Sequence, residues 1–189
     1  MSAASAPASG DVLQGIRVLE LGNFITGPYA GLMLADLGAD VIKVERPEGD
    51  PFRAFRDGQY SPNFVAFNRN KRSVKLDLGT EAGRGALLRL VDTADVLIEN
   101  FRPGVMDRMG LGWETLRARR PQLVYCAIGG FLPGSRHEGQ PAFDTIGQAL
   151  SGMLDTFLDP AHPQVRGPTI SDQLAGMYAC QGILGALFA

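Results

Sequence analysis

The chain has 189 residues, of which 45% are apolar and 20% charged, enough apolar side chains to build the core of one domain or of a piece of a larger one. Eighteen Lys and Arg against 20 Asp and Glu leave a net charge of −2, which excludes a whole-protein basic field for wrapping nucleic acid. Two cysteines, Cys126 and Cys180, are too few for a disulfide scaffold and fit a reducing compartment.

In chain order, residues 1–14 begin with small side chains and carry neither the charged start nor the apolar stretch of a secretory signal, so they read as a disordered tail. The folded domain is expected over residues 15–189. Residues 16–21 form the first strand candidate. A helix follows over 28–37, with Pro28 in its first turn, where a missing N–H costs nothing, and Gly38 as its stop. The next strand is 40–45, and another follows over 73–78. Thr80 is placed to cap a helix reaching residue 93, weakened by Gly83 and Gly85. A strand over 96–99, a helix over 113–120 and a strand over 123–128 come next, then helices over 143–154 and 172–188. Strands alternating with helices predict an α/β fold, a parallel sheet flanked by helices. No run approaches the roughly 18 apolar residues of a membrane helix, so a cytoplasmic protein without membrane contact is expected. The last helix runs into Ala189 without a cap or polar turn, which reads either as a chain that needs a further segment or as a frayed end.

Three irregular stretches, 46–61, 129–141 and 155–171, leave strand or helix ends where α/β folds bind ligands. The turn Gly22-Asn23-Phe24-Ile25-Thr26-Gly27-Pro28 lacks both G-x-G-x-x-G and a phosphate-loop lysine. It is a plain βα turn or a general anion site at a helix start. Arg46, Arg53 and Arg56, with Arg69, Lys71, Arg72 and Lys75 further on, are either a solvated face or a cradle for a ligand with several phosphates. His137 and His162 lack metal-ligand spacing, and no metal site is expected. Asp172, at the start of the last helix, reads as an N-cap or as a nucleophilic carboxylate that attacks an activated acyl group. Asp144 is a second helix-start carboxylate that nothing local singles out.

Four strings are distinctive together: GIRVLELGNFITGPYAGLMLADLGADVIKVERPEGDPFR, FNRNKRSVKLDL, ADVLIENFRPGVMDRMGLG and GPTISDQLAG. They resemble the N-terminal half of the class III CoA-transferases, the family of formyl-CoA transferase and the carnitine CoA-transferases, with the α-methylacyl-CoA racemases as relatives. The resemblance implies a Rossmann-like large domain of an interlocked homodimer, with coenzyme A bound as part of an acyl-CoA substrate. It implies coenzyme A contacts at Phe24, Ile25, Thr26, Arg46, Leu76, Asn100, Phe101, Arg108 and Met109, and catalytic roles for Asp172 and Asp144. The implied activity is exchange of CoA between an acyl-CoA and a carboxylic acid through an aspartyl intermediate on Asp172. The racemase branch is the alternative, and a non-catalytic CoA-binding half-subunit is another. Phe143 stands where the racemases carry a proton-shuttling His, and Phe cannot move a proton. Ile25, Gly79 and Pro141 replace polar residues of formyl-CoA transferase, which argues for a different acyl pair. Family chains are about twice as long, so a complementing C-terminal half is expected.

Overall fold

A computed structural model describes residues 12–55, 60–165 and 167–189; Arg56 and residues 1–11 of the expected tail lie outside them. Leu13 belongs to the fold and not to a tail. Its side chain is buried, and its N–H donates to the Leu37 carbonyl at 2.9 Å.

Five strands, β1 (Arg17–Glu20), β2 (Asp40–Glu45), β3 (Arg72–Lys75), β4 (Val96–Glu99) and β5 (Val124–Ala127), form one sheet in the order β3-β2-β1-β4-β5. Every pairing is parallel, with Val18 opposite Val41 on one side and Val96 on the other. β4 is buried at every position and β1 at all but Arg17, as central strands covered on both faces must be. β3 is mostly exposed and carries Arg72 and Lys75, charges that blunt an open edge.

The helices are α1 (Thr26–Asp36), α2 (Pro62–Asn68), α3 (Glu81–Val91), α4 (Val105–Arg108), α5 (Trp113–Arg119), α6 (Asp144–Leu150), α7 (Met153–Phe157) and α8 (Ile170–Phe188). On one face of the sheet α1 and α8 pack over Val18, Val41, Val96 and Ile98, with Cys180 and Ile183 of α8 buried among them. On the other, Leu87 and Val91 of α3 and Leu116 of α5 cover Leu19, Ile42 and Leu97. Each such fully buried aliphatic side chain contributes roughly 1.5–3 kcal/mol relative to an exposed one. Thr80 caps α3 as its sequence predicts, its hydroxyl accepting from Gly83 N at 3.1 Å. The helix expected over 143–154 is two helices, because Gly152 takes φ 78° and interrupts it.

Charged groups also sit in the core. Lys43 Nζ, buried in mid-strand, bonds Glu20 Oε1 at 2.9 Å, the Gly22 carbonyl at 2.8 Å and Asp50 Oδ2 at 2.8 Å. Lys71 Nζ reaches Glu20 Oε2 at 2.6 Å and the carbonyls of Pro28 and Phe67 at 2.7 and 2.8 Å. Burial drives the Lys71 ammonium down to about 8, with the Glu20 carboxylate opposing the fall. Burial alone would raise Glu20, but the two ammonium groups outweigh it and hold its carboxyl below the ordinary range. The two lysines thereby hold carbonyls at both ends of the 22–28 turn.

Candidate active site

The strand order reverses between β1 and β4, and the loops that leave their carboxyl ends diverge there, which is where open α/β sheets bind ligands. A cleft of about 370 Å³ opens at that point. β1 enters it through Gly22, whose α-carbon lies so close to Gly27 that a Cβ on Gly22 would stand 2.9 Å from it, so the turn needs glycine there. Phe24 takes φ 62°, a left-handed conformation that is costly for a bulky residue and is held here by its surroundings. Its ring packs edge-on against Phe52 and Phe143, at centroid distances of 5.3 and 6.1 Å. Asn100, just after β4, ties the two loops together: its Oδ1 accepts from Asn23 N at 2.9 Å, and its Nδ2 donates to the Asn23 carbonyl and to Thr26 Oγ1, both at 2.8 Å. Glu99 Oε2 accepts from Phe101 N at 2.7 Å, and burial raises the Glu99 carboxyl despite that bond.

The far wall comes from α6 and α8. Asp144 is buried, and both its oxygens are engaged. Oδ1 accepts from Ser171 N at 2.8 Å and from Asp172 N at 3.3 Å, while Oδ2 accepts from Gln148 Nε2. Asp144 therefore supplies from α6 the cap that α8 lacks in its own sequence, since Thr169 at the helix start makes no side-chain cap bond. Asp172 thus has no capping duty. Its half-buried carboxylate lines the cleft and accepts no hydrogen bond among the described residues. Burial first, and the Asp144 carboxylate second, push Asp172 up to about 6.

Of the residues expected to meet substrate, Phe24, Ile25, Thr26, Asn100, Phe101 and Asp172 share this cleft. Asp144 lies behind its wall. Arg46, Leu76, Arg108 and Met109 follow β2, β3 and β4 along the same carboxyl edge but do not line the cleft. Arg46 donates to the Gly49 carbonyl at 3.0 Å, and Leu76 and Met109 pack on the apolar core. In the second basic cluster three of the four side chains have carboxylate partners: Arg69 pairs with Asp36, Lys71 with Glu20 and Arg72 with Asp40. Arg53 likewise pairs with Glu45, whose carboxyl falls to about 2 as the Arg53 and Ser73 hydrogen bonds overcome the effect of burial. Sequence reasoning did not find Asn23 or the Glu20–Lys43 pair. A signal for the second existed, because Glu20 and Lys43 face each other directly in the β1–β2 register.

A parallel sheet of this order, with a cleft at its reversal and in it a carboxylate that accepts no hydrogen bond among the described residues, defines a doubly wound α/β domain. The sequence profile of CoA-transferase family III matches residues 13–189, and the chain belongs to that family. It is 44% identical over 187 residues to the succinyl-CoA:mesaconate CoA-transferase of Haloarcula hispanica, a match covering 93% of this chain and 47% of that protein. It is 41% identical over 180 residues to the succinyl-CoA–D-citramalate CoA-transferase of Chloroflexus aurantiacus, covering 93% of this chain and 45% of the relative. Among solved structures, a CAIB/BAIF family protein from Brucella suis superposes with a TM-score of 0.86 at 41% identity, over 93% of this chain and 49% of that one. The D175A mutant of Rv3272 from Mycobacterium tuberculosis gives 0.85 at 39%, over 92% and 48%. The chain spans about half the length of the relatives it matches.

Proposed function

We propose that this chain is the coenzyme A-binding, nucleophile-bearing part of a CoA-transferase, and that coenzyme A passes from donor to acceptor through covalent aspartyl intermediates on Asp172. The observation that supports this is the Asp172 carboxylate itself: half-buried in the cleft, without a hydrogen-bond partner among the described residues, and relieved of capping by Asp144. A carboxyl at about 6 is ionised at neutral pH yet more basic than an exposed aspartate, which suits a nucleophile.

Asp172 Oδ attacks the thioester carbonyl of the donor acyl-CoA. The C–S bond breaks, leaving a mixed anhydride and CoA thiolate. The thiolate attacks the aspartyl carbonyl, forming an aspartyl-CoA thioester and releasing the donor as a carboxylate. The acceptor carboxylate attacks that thioester and expels the thiolate. The thiolate then attacks the acceptor carbonyl of the new anhydride, giving the new acyl-CoA and restoring Asp172. No proton or phosphate is consumed. Asn100 and the start of α1 hold the 23–26 turn against the coenzyme A arm, and Asp144 is a positioning residue that sets where Asp172 points. Phe143 faces the cleft at the position where racemisation needs a proton carrier, so transfer is favoured over racemisation. The acyl-CoA and the acid are substrates. A second copy or a complementing C-terminal half completes the site.

The test is incubation of the full polypeptide with succinyl-CoA, trapping with hydroxylamine and peptide mass spectrometry. The expected result is a hydroxamate on Asp172, absent in Asp172→Ala. Full CoA transfer by a folded Asp172→Ala protein overturns the reading.

A further inference from the structure

Four charged groups buried beside the 22–28 turn take no part in the proposed chemistry, yet their bonds converge on the wall of the cleft. Glu20, Lys43, Asp50 and Lys71 are each at most 2% exposed at the side chain, and their charges cancel. Lys43 Nζ holds the Gly22 carbonyl at 2.8 Å, where the turn begins. Lys71 Nζ holds the Pro28 carbonyl at 2.7 Å, where it ends, and reaches the Phe67 carbonyl at 2.8 Å and Asn68 Oδ1 at 3.0 Å on α2. Asp50 supplies a third hold. Its Oδ2 pairs with Lys43, its Oδ1 accepts from Phe52 N at 2.8 Å, and the Phe52 ring lies edge-on to Phe24. Phe24 is the turn residue at φ 62°, a conformation that persists only where neighbours fix it. α1 makes room for the cluster as well, since a Cβ on Gly31 would stand 3.0 Å from Glu20 Oε2. Buried ion pairs often stabilise a fold no more than apolar side chains of the same size would; what this cluster adds is geometry at the turn.

We propose that Lys71 is a positioning residue for coenzyme A: through the Pro28 carbonyl it sets the 22–28 turn against which the coenzyme A arm lies, and it does so only while protonated. The inference rests on the coenzyme A reading of the cleft and gives that site a pH dependence. Nζ has four oxygens within reach, from Glu20, Pro28, Phe67 and Asn68, and an ammonium offers them three protons. A neutral amine offers two and turns a lone pair toward oxygen, so a further oxygen loses its donor. Glu20 retains Lys43 as a partner; the Pro28 carbonyl has no second ammonium among the described residues. The charged groups around Nζ are Glu20 from β1, Lys43 from β2 and Asp50 from the loop after β2, while α1 and α2 present only neutral oxygens. Burial is the first cause of the fall of Lys71 to about 8, Glu20 opposes it and Lys43 adds to it. Because that value lies below the ordinary 10.5, the unfolded chain keeps a proton that the fold releases between the two. This group therefore makes the fold more stable, not less, as pH rises through that window, so a loss of ligand affinity there is not unfolding.

The test is calorimetric titration of desulfo-coenzyme A, which lacks the titrating thiol, into the full polypeptide between pH 7 and 9, with a thermal melt at each pH. The expected result is an affinity that falls about 10-fold by pH 9, the limit for one proton released at about 8, while Tm does not fall. Hydrogen exchange of the peptide spanning 22–28 in the free protein, corrected for intrinsic rate, should lose protection over the same range. The charge-balanced double variant Glu20→Gln/Lys71→Met leaves the Lys43–Asp50 pair intact and should bind about 10-fold more weakly at pH 7, with no further change up to pH 9. If that variant does not fold, the pH series on the wild type decides alone. An affinity that is flat from pH 7 to 9, a decline that persists in the folded double variant, or a Tm that falls in step with affinity overturns the proposal and leaves the coenzyme A reading standing. Desulfo-coenzyme A that binds at no pH overturns that reading and the proposal with it.

Discussion

Replacing Asp172 by Asn should stabilise the fold while ending transfer. Burial and the Asp144 carboxylate raise Asp172 from 3.8 to about 6. A folded-state value above the unfolded one means that the fold holds the proton more tightly than the unfolded chain. Ionisation then costs stability: nothing well below pH 3.8, a growing amount between 3.8 and about 6, and the full amount above. A difference of about 2 in pKa sets a ceiling near 3 kcal/mol, which solvent screening of this half-buried group reduces to roughly 1–2 kcal/mol. Asn removes that cost. For a chain of this size the gain corresponds to a rise of roughly 2–8 °C in Tm at pH 8, and about half of that at pH 5. Calorimetric melts of both proteins at the two pH values measure it. An Asn variant that melts no higher than wild type at pH 8, or an offset identical at both pH values, refutes the reasoning.

Glu20→Gln removes the carboxylate shared by two buried ammonium groups and should cost about 3–5 kcal/mol in urea unfolding, where a loss under about 1 kcal/mol would mean that the network is wet. Asn100→Asp replaces the amide that donates to the Asn23 carbonyl and Thr26 Oγ1 with an acceptor, for a loss of about 1–3 kcal/mol and of coenzyme A binding by calorimetric titration; unchanged binding would detach this turn from the ligand. Gly176→Ala puts a Cβ 2.8 Å from the Thr26 carbonyl and should cost about 1–3 kcal/mol as α8 is pushed off α1, read by urea unfolding; a neutral effect would show that this contact is slack.

Four strands were legible as short apolar-rich runs between turn signals and lie within the expected spans, whereas the third, expected over 73–78, forms over Arg72–Lys75, an edge strand with a single Val in it. The elements missed are the 3-10 turn Pro51–Ala54, α2 and α4, none longer than seven residues and so too short to show helical periodicity. α2 did carry a local signal, Ser61 as cap with Pro62 at the first helical position. The fate of the arginines was not legible. Their carboxylate partners Asp36 and Asp40 lie some 30 residues away, and only the folded sheet brings them together. The cleft residues Phe24, Ile25, Thr26, Asn100 and Phe101 and the carboxylate Asp172 were reached through resemblance, because a glycine turn and a helix-start aspartate are individually common.

The two aspartates divide their work by what surrounds them. Asp144 meets two backbone N–H groups and an amide, so its charge is satisfied by donors; Asp172 meets none and carries the cost of its own ionisation. Asp144→Asn separates these roles. The Asn Oδ1 still accepts from Ser171 and Asp172, so α8 keeps its cap, but the negative charge beside Asp172 is gone. Because burial is the larger cause of the rise, Asp172 should fall by less than about 1, staying above an exposed aspartate. On the proposed mechanism acylation requires the ionised form, so the acid limb of the acylation pH profile, expected near 6 in the wild type, should move down by that amount. A nucleophile with lower basicity also attacks more slowly, so the plateau rate should drop as the limb moves. A plateau that falls while the limb stays at 6 would mean that Asp144 acts only as a cap, and a limb that moves upward would remove the electrostatic link between the two carboxylates.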